Sequence, residues 1–474
     1  MLRRATPLLW IAGIAGALWL IAPYGYPNYD TLYALLWGDE LAHGRSPDYG
    51  TQPPTPHPLA DLWGAIADPL GAVGAADATA VLAYLALGAI AYLVYRLAAQ
   101  WFDRPIGVAA ALLVLTRTPF LSNGLRAFVD LPYVALVLAA LLIESRRPRA
   151  GWPVLALLAL AGLLRPEAWL FSAVYLAYLA LERDPSGEGF RLRRRKELGN
   201  RELIGLTVLA ASAPIAWGCF DLITTGDPTY SFTATQDRVE TLERHTGPVE
   251  LFTYGPSQLG EVMQWPGVLG AAAGLALGLT LLRRRSLIGI TAAVLAGLAF
   301  GIVASAGLAI IPRYLLLGSA LLCIFCALAL LGWRLLPRDH PWRLRWQLVA
   351  AAVLVMFLVQ APQQRGYIAD VFDVLHDQEK IGSDLHRLAD SGAFTRDCGP
   401  IIVPGVQAVP RLAAWLDLRP SAIVIAGEGV PPGRGYVLHP ASAEAALHYG
   451  TAPVPAGFRR VARNDSWLLY ARCE

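Results

Sequence analysis

Charge is scarce in this chain: only 16% of its 474 residues are Asp, Glu, Lys or Arg, and lysine is almost missing, occurring only as Lys196 and Lys380. Soluble domains carry about a quarter charged residues, so a wholly water-soluble fold is excluded. Five cysteines are too few for a disulfide framework holding the whole chain together. Cys219, Cys323 and Cys326 fall in apolar segments, and the CxxC spacing of the last two lacks a second pair or a neighbouring histidine, which argues against zinc or redox chemistry. No glycine-rich loop follows a strand, so nucleotide binding has no support. The basic runs at 191–196 and 283–285 are explained by membrane topology and imply no nucleic-acid partner.

What is present is hydrophobic: 55% of residues, with a mean hydropathy of +0.45. The chain therefore reads as a polytopic α-helical membrane protein. Apolar windows near 7–23, 78–99, 106–121, 131–144, 152–164, 168–182, 203–222, 266–282, 286–308, 314–332 and 346–360 predict about eleven transmembrane helices. No cleavage site follows the first, which reads as a retained helix. With a cytoplasmic amino terminus, the inner connections carry three times as many cations as the outer ones. Before residue 361 the outer connections hold only Arg45, Arg117, Arg126, Arg165, Arg238, Arg244 and Arg313. That bias sets the orientation and makes the carboxyl terminus extracytoplasmic.

Three outer stretches remain: loops 24–77 and 223–265, and the tail 361–474. In the first loop, Thr31–His43 and Leu59–Ala67 read as short interfacial helices. The tail has a polar helical run from Tyr367 to Ser391, strands near 400–403, 421–425 and 466–470, and a helical Leu412–Leu416. This predicts a small soluble α/β domain after a transmembrane domain spanning 1–360. Cys398 and Cys473 flank the strands of that domain, and a disulfide between them suits an oxidising compartment; two unrelated thiols are the alternative.

Polar residues at the outer helix ends carry the chemistry, and each has a plain structural alternative. Asp30 is either a catalytic carboxylate or the N-cap of a helix beginning at Thr31. Asp39 and Glu40 follow on the next turns as alternatives for the same role, or as a solvated face. Asp130, in the run Arg126-Ala127-Phe128-Val129-Asp130-Leu131-Pro132, is a substrate contact or another cap. Glu167 and Pro166 suit a helix start, but that does not explain Arg165 on the cation-poor side. Arg313, followed by Tyr314, raises the same question. Two arginines there point to an anion, and a phosphate carried on a lipid is the natural one. His57, wedged between Pro56 and Pro58, is a substrate contact or a rigid-turn residue.

A carboxylate base and phosphate-holding cations at a membrane surface suit sugar transfer from a polyprenyl phosphate. Phosphate leaves readily, so neither a general acid nor a metal is demanded, and a single displacement would invert the anomeric carbon. The sequence also resembles the GT-C glycosyltransferases, through Tyr29-Asp30 with Tyr33, Gly44, Pro47-Asp48-Tyr49 and Thr55-Pro56-His57-Pro58, then Asp130-Leu131-Pro132, Leu164-Arg165-Pro166-Glu167 and Arg313-Tyr314. That resemblance implies Asp30 as base, Arg165 at the donor phosphate and Asp130 shaping a substrate site, with Arg126, His57, Glu167 and Tyr314 around it. It departs at Asp30-Thr31, where many relatives have Asp-Glu, and so keeps Asp39 and Glu40 open. The arginine-rich composition resembles actinobacterial members, which implies a bacterial plasma membrane and mannose or arabinose as the sugar. The acceptor is left as a glycan, a lipid or a protein. The competing reading is a lipid or glycan transporter or flippase, against which stand the absence of internal repeats and of mid-membrane charges.

Overall fold

In this computed structural model, residues 2–50, 52–183, 192–195, 198–395, 398–427 and 433–473 are described; the basic run at 191–196 lies partly outside them. Six helices among the described residues are long and apolar enough to cross a membrane: Pro58–Trp101, Asn200–Thr225, Pro248–Leu281, Arg283–Ser305, Pro312–Leu335 and Trp342–Asp390. Arg104–Leu115 and Thr118–Leu125 make a seventh if they cross together, although they bend by 63°. The first helix, Leu2–Ile21, is 20 residues long, while Trp152–Gly162 and Glu167–Ala180 are apolar but shorter. The eleven predicted segments lie largely on helices of a multi-pass membrane protein; six or seven described helices have the length and apolarity of a span, and the first, Leu2–Ile21, has the length as well. Proline accounts for much of the difference. Pro119 starts a new helix at Thr118, and Pro166 stands immediately before the Glu167–Ala180 helix.

The two expected interfacial helices are present as Tyr29–Ala42 and Pro58–Ala67. They cross at Gly38 and Gly64, where a side chain would not fit: a Cβ on Gly38 would meet the Ala65 nitrogen at 2.3 Å, and one on Gly64 the Ala34 oxygen at 2.4 Å. This close approach fixes Asp30 and His57 relative to each other. The 223–265 stretch is also largely helical, with Tyr230–Thr241 and Pro248–Thr253 following a turn in which Gly226 takes the left-handed φ of +82°.

The Trp342–Asp390 helix runs 49 residues without interruption, so residue 361 falls inside it. Beyond it lies a five-stranded mixed sheet in the order Ile423–Ile425, Ile401–Val403, Gly435–Pro440, Trp467–Arg472, Arg459–Arg463. The first three strands are parallel and the last two antiparallel to their neighbours. Gly435–Pro440 and Arg459–Arg463 escape the sequence pattern: the first ends in His-Pro, and the second is an edge strand whose exposed arginines deter further pairing. Val409–Leu416 and Ala443–Tyr449 pack on this sheet.

The tail and the first loop share one core. Tyr33 and Trp37, 0% and 1% exposed, pack in the same cluster as Leu385, Leu412 and Trp467. Around it, Asp48 accepts a hydrogen bond from the Ser421 amide (2.9 Å), and Arg419 donates to the Ser46 carbonyl (3.2 Å). The tail is thus a wall built onto the membrane body. Cys398 and Cys473 are disulfide-bonded across a sequence separation of 75, while Cys323 and Cys326 are buried thiols in the bundle. Reduction of that bond is expected to cost about 2–5 kcal/mol of stability, measured as a fall in the thermal midpoint under reductant; an unchanged midpoint would count against it.

Candidate active site

One cavity of about 1060 Å³ is bordered by the first loop, the 126–130 and 165–167 helix ends, the 228–244 stretch, Arg313-Tyr314 and the tail. Asn28 prepares one side of it. Its side-chain oxygen accepts from the amides of Asp30 (2.7 Å) and Thr31 (3.3 Å), while its amide group donates to the Arg126 carbonyl (2.9 Å). Asn28 is therefore the N-cap, the helix begins at Tyr29, and the capping account of Asp30 fails. Thr31 adds a hydrogen bond to the Ala127 carbonyl (2.7 Å), tying the loop to the segment before Asp130.

Released from capping, the Asp30 carboxylate accepts a hydrogen bond from Arg313 Nη1 at 2.9 Å and keeps 22% of its side chain exposed. Burial raises its pKa, but the charge and hydrogen bond of Arg313, with smaller help from neighbouring cations, together outweigh this and hold Asp30 below the usual carboxylate range. His57 lines the same cavity, with a buried Nδ1 that has no partner. Burial and the Arg165 charge push its imidazole down to about 3, so it is neutral at physiological pH.

Arg165 is embedded more deeply. Its Nη1 donates to Asp130; its Nη2 donates to Glu167 Oε1 at 2.6 Å, and its Nε adds a bond to that carboxylate at 3.1 Å. Its guanidinium stacks on Tyr314 with Cζ 3.9 Å from the ring centre. Asp130, 1% exposed, caps no amide, and its Oδ2 has no partner. The capping account of Asp130 fails as well. Arg165, expected to hold a donor phosphate, is already matched by two carboxylates.

Arg126 also lines the cavity, with its Nε buried and unpartnered. Asp39 and Glu40 do not line it. Asp39 pairs with Arg45 (2.7 Å) beside His43 and Asp68 on an exposed face. Glu40, 5% exposed, accepts from the Asp48 amide (2.7 Å) and faces Arg419 (3.5 Å), so it joins the first loop to the tail.

Arg238, Arg244 and Arg411 line the cavity too and are not among the residues the motifs single out. Arg238 donates to the carbonyls of Gln52 and Pro53 (the latter at 2.9 Å) and faces the Tyr29 ring at 5.5 Å. The Arg244 side chain has no hydrogen-bond or ion-pair partner among the described residues; burial and the like charge of Arg313 both lower its pKa. Both arginines belong to the seven outer cations of the sequence, a signal that was legible there. Arg411 comes from the tail, over the Tyr26 ring at 5.4 Å, with no such signal.

This bundle, with a tail closing one polar cavity, has counterparts among solved structures. Over 98% of both chains it superposes on ArnT from Cupriavidus metallidurans bound to undecaprenyl phosphate, at a TM-score of 0.56 and 14% identity. The apo state of that protein gives a TM-score of 0.55 and 16% identity, covering 98% of this chain and 97% of the other. The archaeal oligosaccharyltransferase AglB from Archaeoglobus fulgidus, in complex with an inhibitory peptide and a dolichol-phosphate, matches at a TM-score of 0.44 and 12% identity. It covers 88% of this chain and 64% of its own, too loosely to bear on the fold. No protein-family model matches the sequence, and a search of curated proteins finds no match. The chain thus has an ArnT-type fold.

Proposed function

We propose that the protein is a GT-C type glycosyltransferase that moves a sugar from a polyprenyl phosphate to an acceptor at the outer face of a bacterial plasma membrane. The observation that carries this reading is Asp30: a carboxylate released from capping, held ionised by Arg313, on the wall of a cavity rich in arginine. Asp30 takes the acceptor hydroxyl's proton as the acceptor oxygen bonds to the anomeric carbon; the bond from that carbon to the phosphate oxygen breaks, and polyprenyl phosphate departs. The anomeric centre inverts. No metal is needed, because phosphate leaves as a stable anion.

Arg313 and Arg244 hold the phosphate in this reading. An anion between two crowded guanidiniums relieves their repulsion. As the phosphate draws Arg313 away, Asp30 becomes more basic when the donor is in place. Arg165, matched by Asp130 and Glu167, shapes the wall together with Tyr314, while Arg126 and His57 offer polar contacts to the sugar. The 228–244 stretch and the tail border the acceptor, which is a glycan, a lipid or a protein.

The test is sugar transfer in proteoliposomes from labelled polyprenyl-phosphate donors, mannose and arabinose first. Turnover of at least one donor is expected. Donor bound and moved between leaflets without transfer would instead support the transporter reading.

A further inference from the structure

A second cavity, of about 340 Å³, lies behind the first. The two share their walls. Arg117 faces the small cavity and Thr118 the large one; on the Trp342–Asp390 helix, Ile368 faces the small one and Val371 the large. Arg117 is 4% exposed; it lies over the Phe357 ring at 5.8 Å, and every hydrogen-bond acceptor of its guanidinium is a neutral oxygen. It donates to the carbonyls of Leu113 (3.3 Å) and Met263 (3.0 Å), to Gln264 Oε1 (3.2 Å) and to Thr116 Oγ1 (3.2 Å). A buried cation without a counter-charge is costly beside lipid and is kept where an anion comes to it. Two irregularities build the place: the bend that sets Arg117 between two helices, and Gln264, which takes a φ of +57° inside its own helix.

The lining contains no carboxylate, and Arg365 supplies a second, exposed cation. The amide oxygens of Gln360 and Gln364 belong to the same lining and are buried without a donor. Just before them on the same helix, Leu354, Val355, Leu358 and Val359 are exposed apolar side chains. Two cations, two acceptors lacking donors and an apolar strip describe one kind of ligand.

We infer that this cavity binds the headgroup of a membrane phospholipid whose phosphate meets Arg117 and Arg365 and whose headgroup donates hydrogen bonds to Gln360 and Gln364. An ethanolamine ammonium or glycerol hydroxyls fit; a choline headgroup, which has no donor, does not. The acyl chains run along the 354–359 strip. Inorganic phosphate shares the anion but has no acyl chains.

The test uses the full chain, stripped of lipid in detergent, with thermal midpoints measured against phosphatidylethanolamine, phosphatidylglycerol, phosphatidylcholine and inorganic phosphate. The first two are expected to raise the midpoint, phosphatidylcholine less so, and inorganic phosphate at equal concentration not at all. Arg117 also braces the bundle, so the variants are Arg365→Gln and Gln360→Leu. Arg365→Gln is expected to weaken apparent affinity for phosphatidylethanolamine about tenfold, as loss of one charge-assisted contact implies. Equal responses of wild type and both variants would overturn the site. A full response to inorganic phosphate would make it an anion site without a lipid, and equal responses to choline and ethanolamine lipids would remove the role given to the glutamines.

Discussion

Asp30→Asn is expected to lower sugar transfer by about 10²–10⁴-fold while leaving donor binding nearly intact, the range over which a positioned general base contributes. The substitution keeps the shape of the side chain and a hydrogen-bond acceptor for Arg313, but the amide cannot take a proton from the acceptor. Binding is checked by retention of labelled donor on purified protein in nanodiscs, and transfer by product formation in the same preparation. Loss of both would mean that Asp30 organises the cavity instead of acting in it; unchanged transfer would remove Asp30 from the chemistry altogether.

The pH profile separates the two partners of the pair. Because Arg313 holds Asp30 below the usual carboxylate range, the carboxylate persists into mild acid. The acid limb of kcat/KM in the wild type, which reports the donor-free enzyme with Arg313 still on Asp30, is expected below the ordinary aspartate range. In Arg313→Gln, the main opposition to burial is lost and the limb moves upward in pH. The stability linkage has the same sign: with a depressed folded pKa, the contribution of Asp30 is complete above the unfolded value and is lost as pH falls through the folded one. A limb that stays in place in Arg313→Gln would mean that Asp30 does not set it.

Much of the architecture was legible because lipid leaves the backbone few choices. Every predicted apolar segment is helical, and so are the two interfacial pieces of the first loop. Span number was less legible, since Pro119 divides the 106–121 stretch that composition alone reads as continuous, and several of the other segments fold into helices too short to span. The candidate site was half visible. Asp30, Asp130, Arg165, Arg313 and His57 do line one cavity, but which of them are free to act depends on pairings across the fold. The Asp130–Arg165 contact joins positions 35 apart and the Asp30–Arg313 contact positions 283 apart, distances at which no local pattern operates. Asn28 was the local clue that could have been read: an asparagine caps as well as an aspartate, and one two residues before Asp30 can start the helix earlier and leave Asp30 inside it.

Arg165 is where that distinction has the largest effect on stability. Its side chain, 7% exposed, lies between carboxylates that are themselves 2% and 5% exposed. Removing the cation alone, as in Arg165→Met, leaves two acids buried side by side and is expected to cost about 3–5 kcal/mol, read as a lost or much lower unfolding transition. Neutralising the partners as well, with Asp130→Asn and Glu167→Gln added to Arg165→Met, removes the stranded charges and is expected to restore most of the midpoint, because a buried ion network contributes little net stability over a neutral replacement. The triple variant also decides what Arg165 does. If it is a brace, already neutralised by its own acids, transfer returns with the fold. If the fold returns and transfer does not, Arg165 gives up those acids to the donor phosphate during the reaction, and the phosphate site must be redrawn around it in place of Arg244.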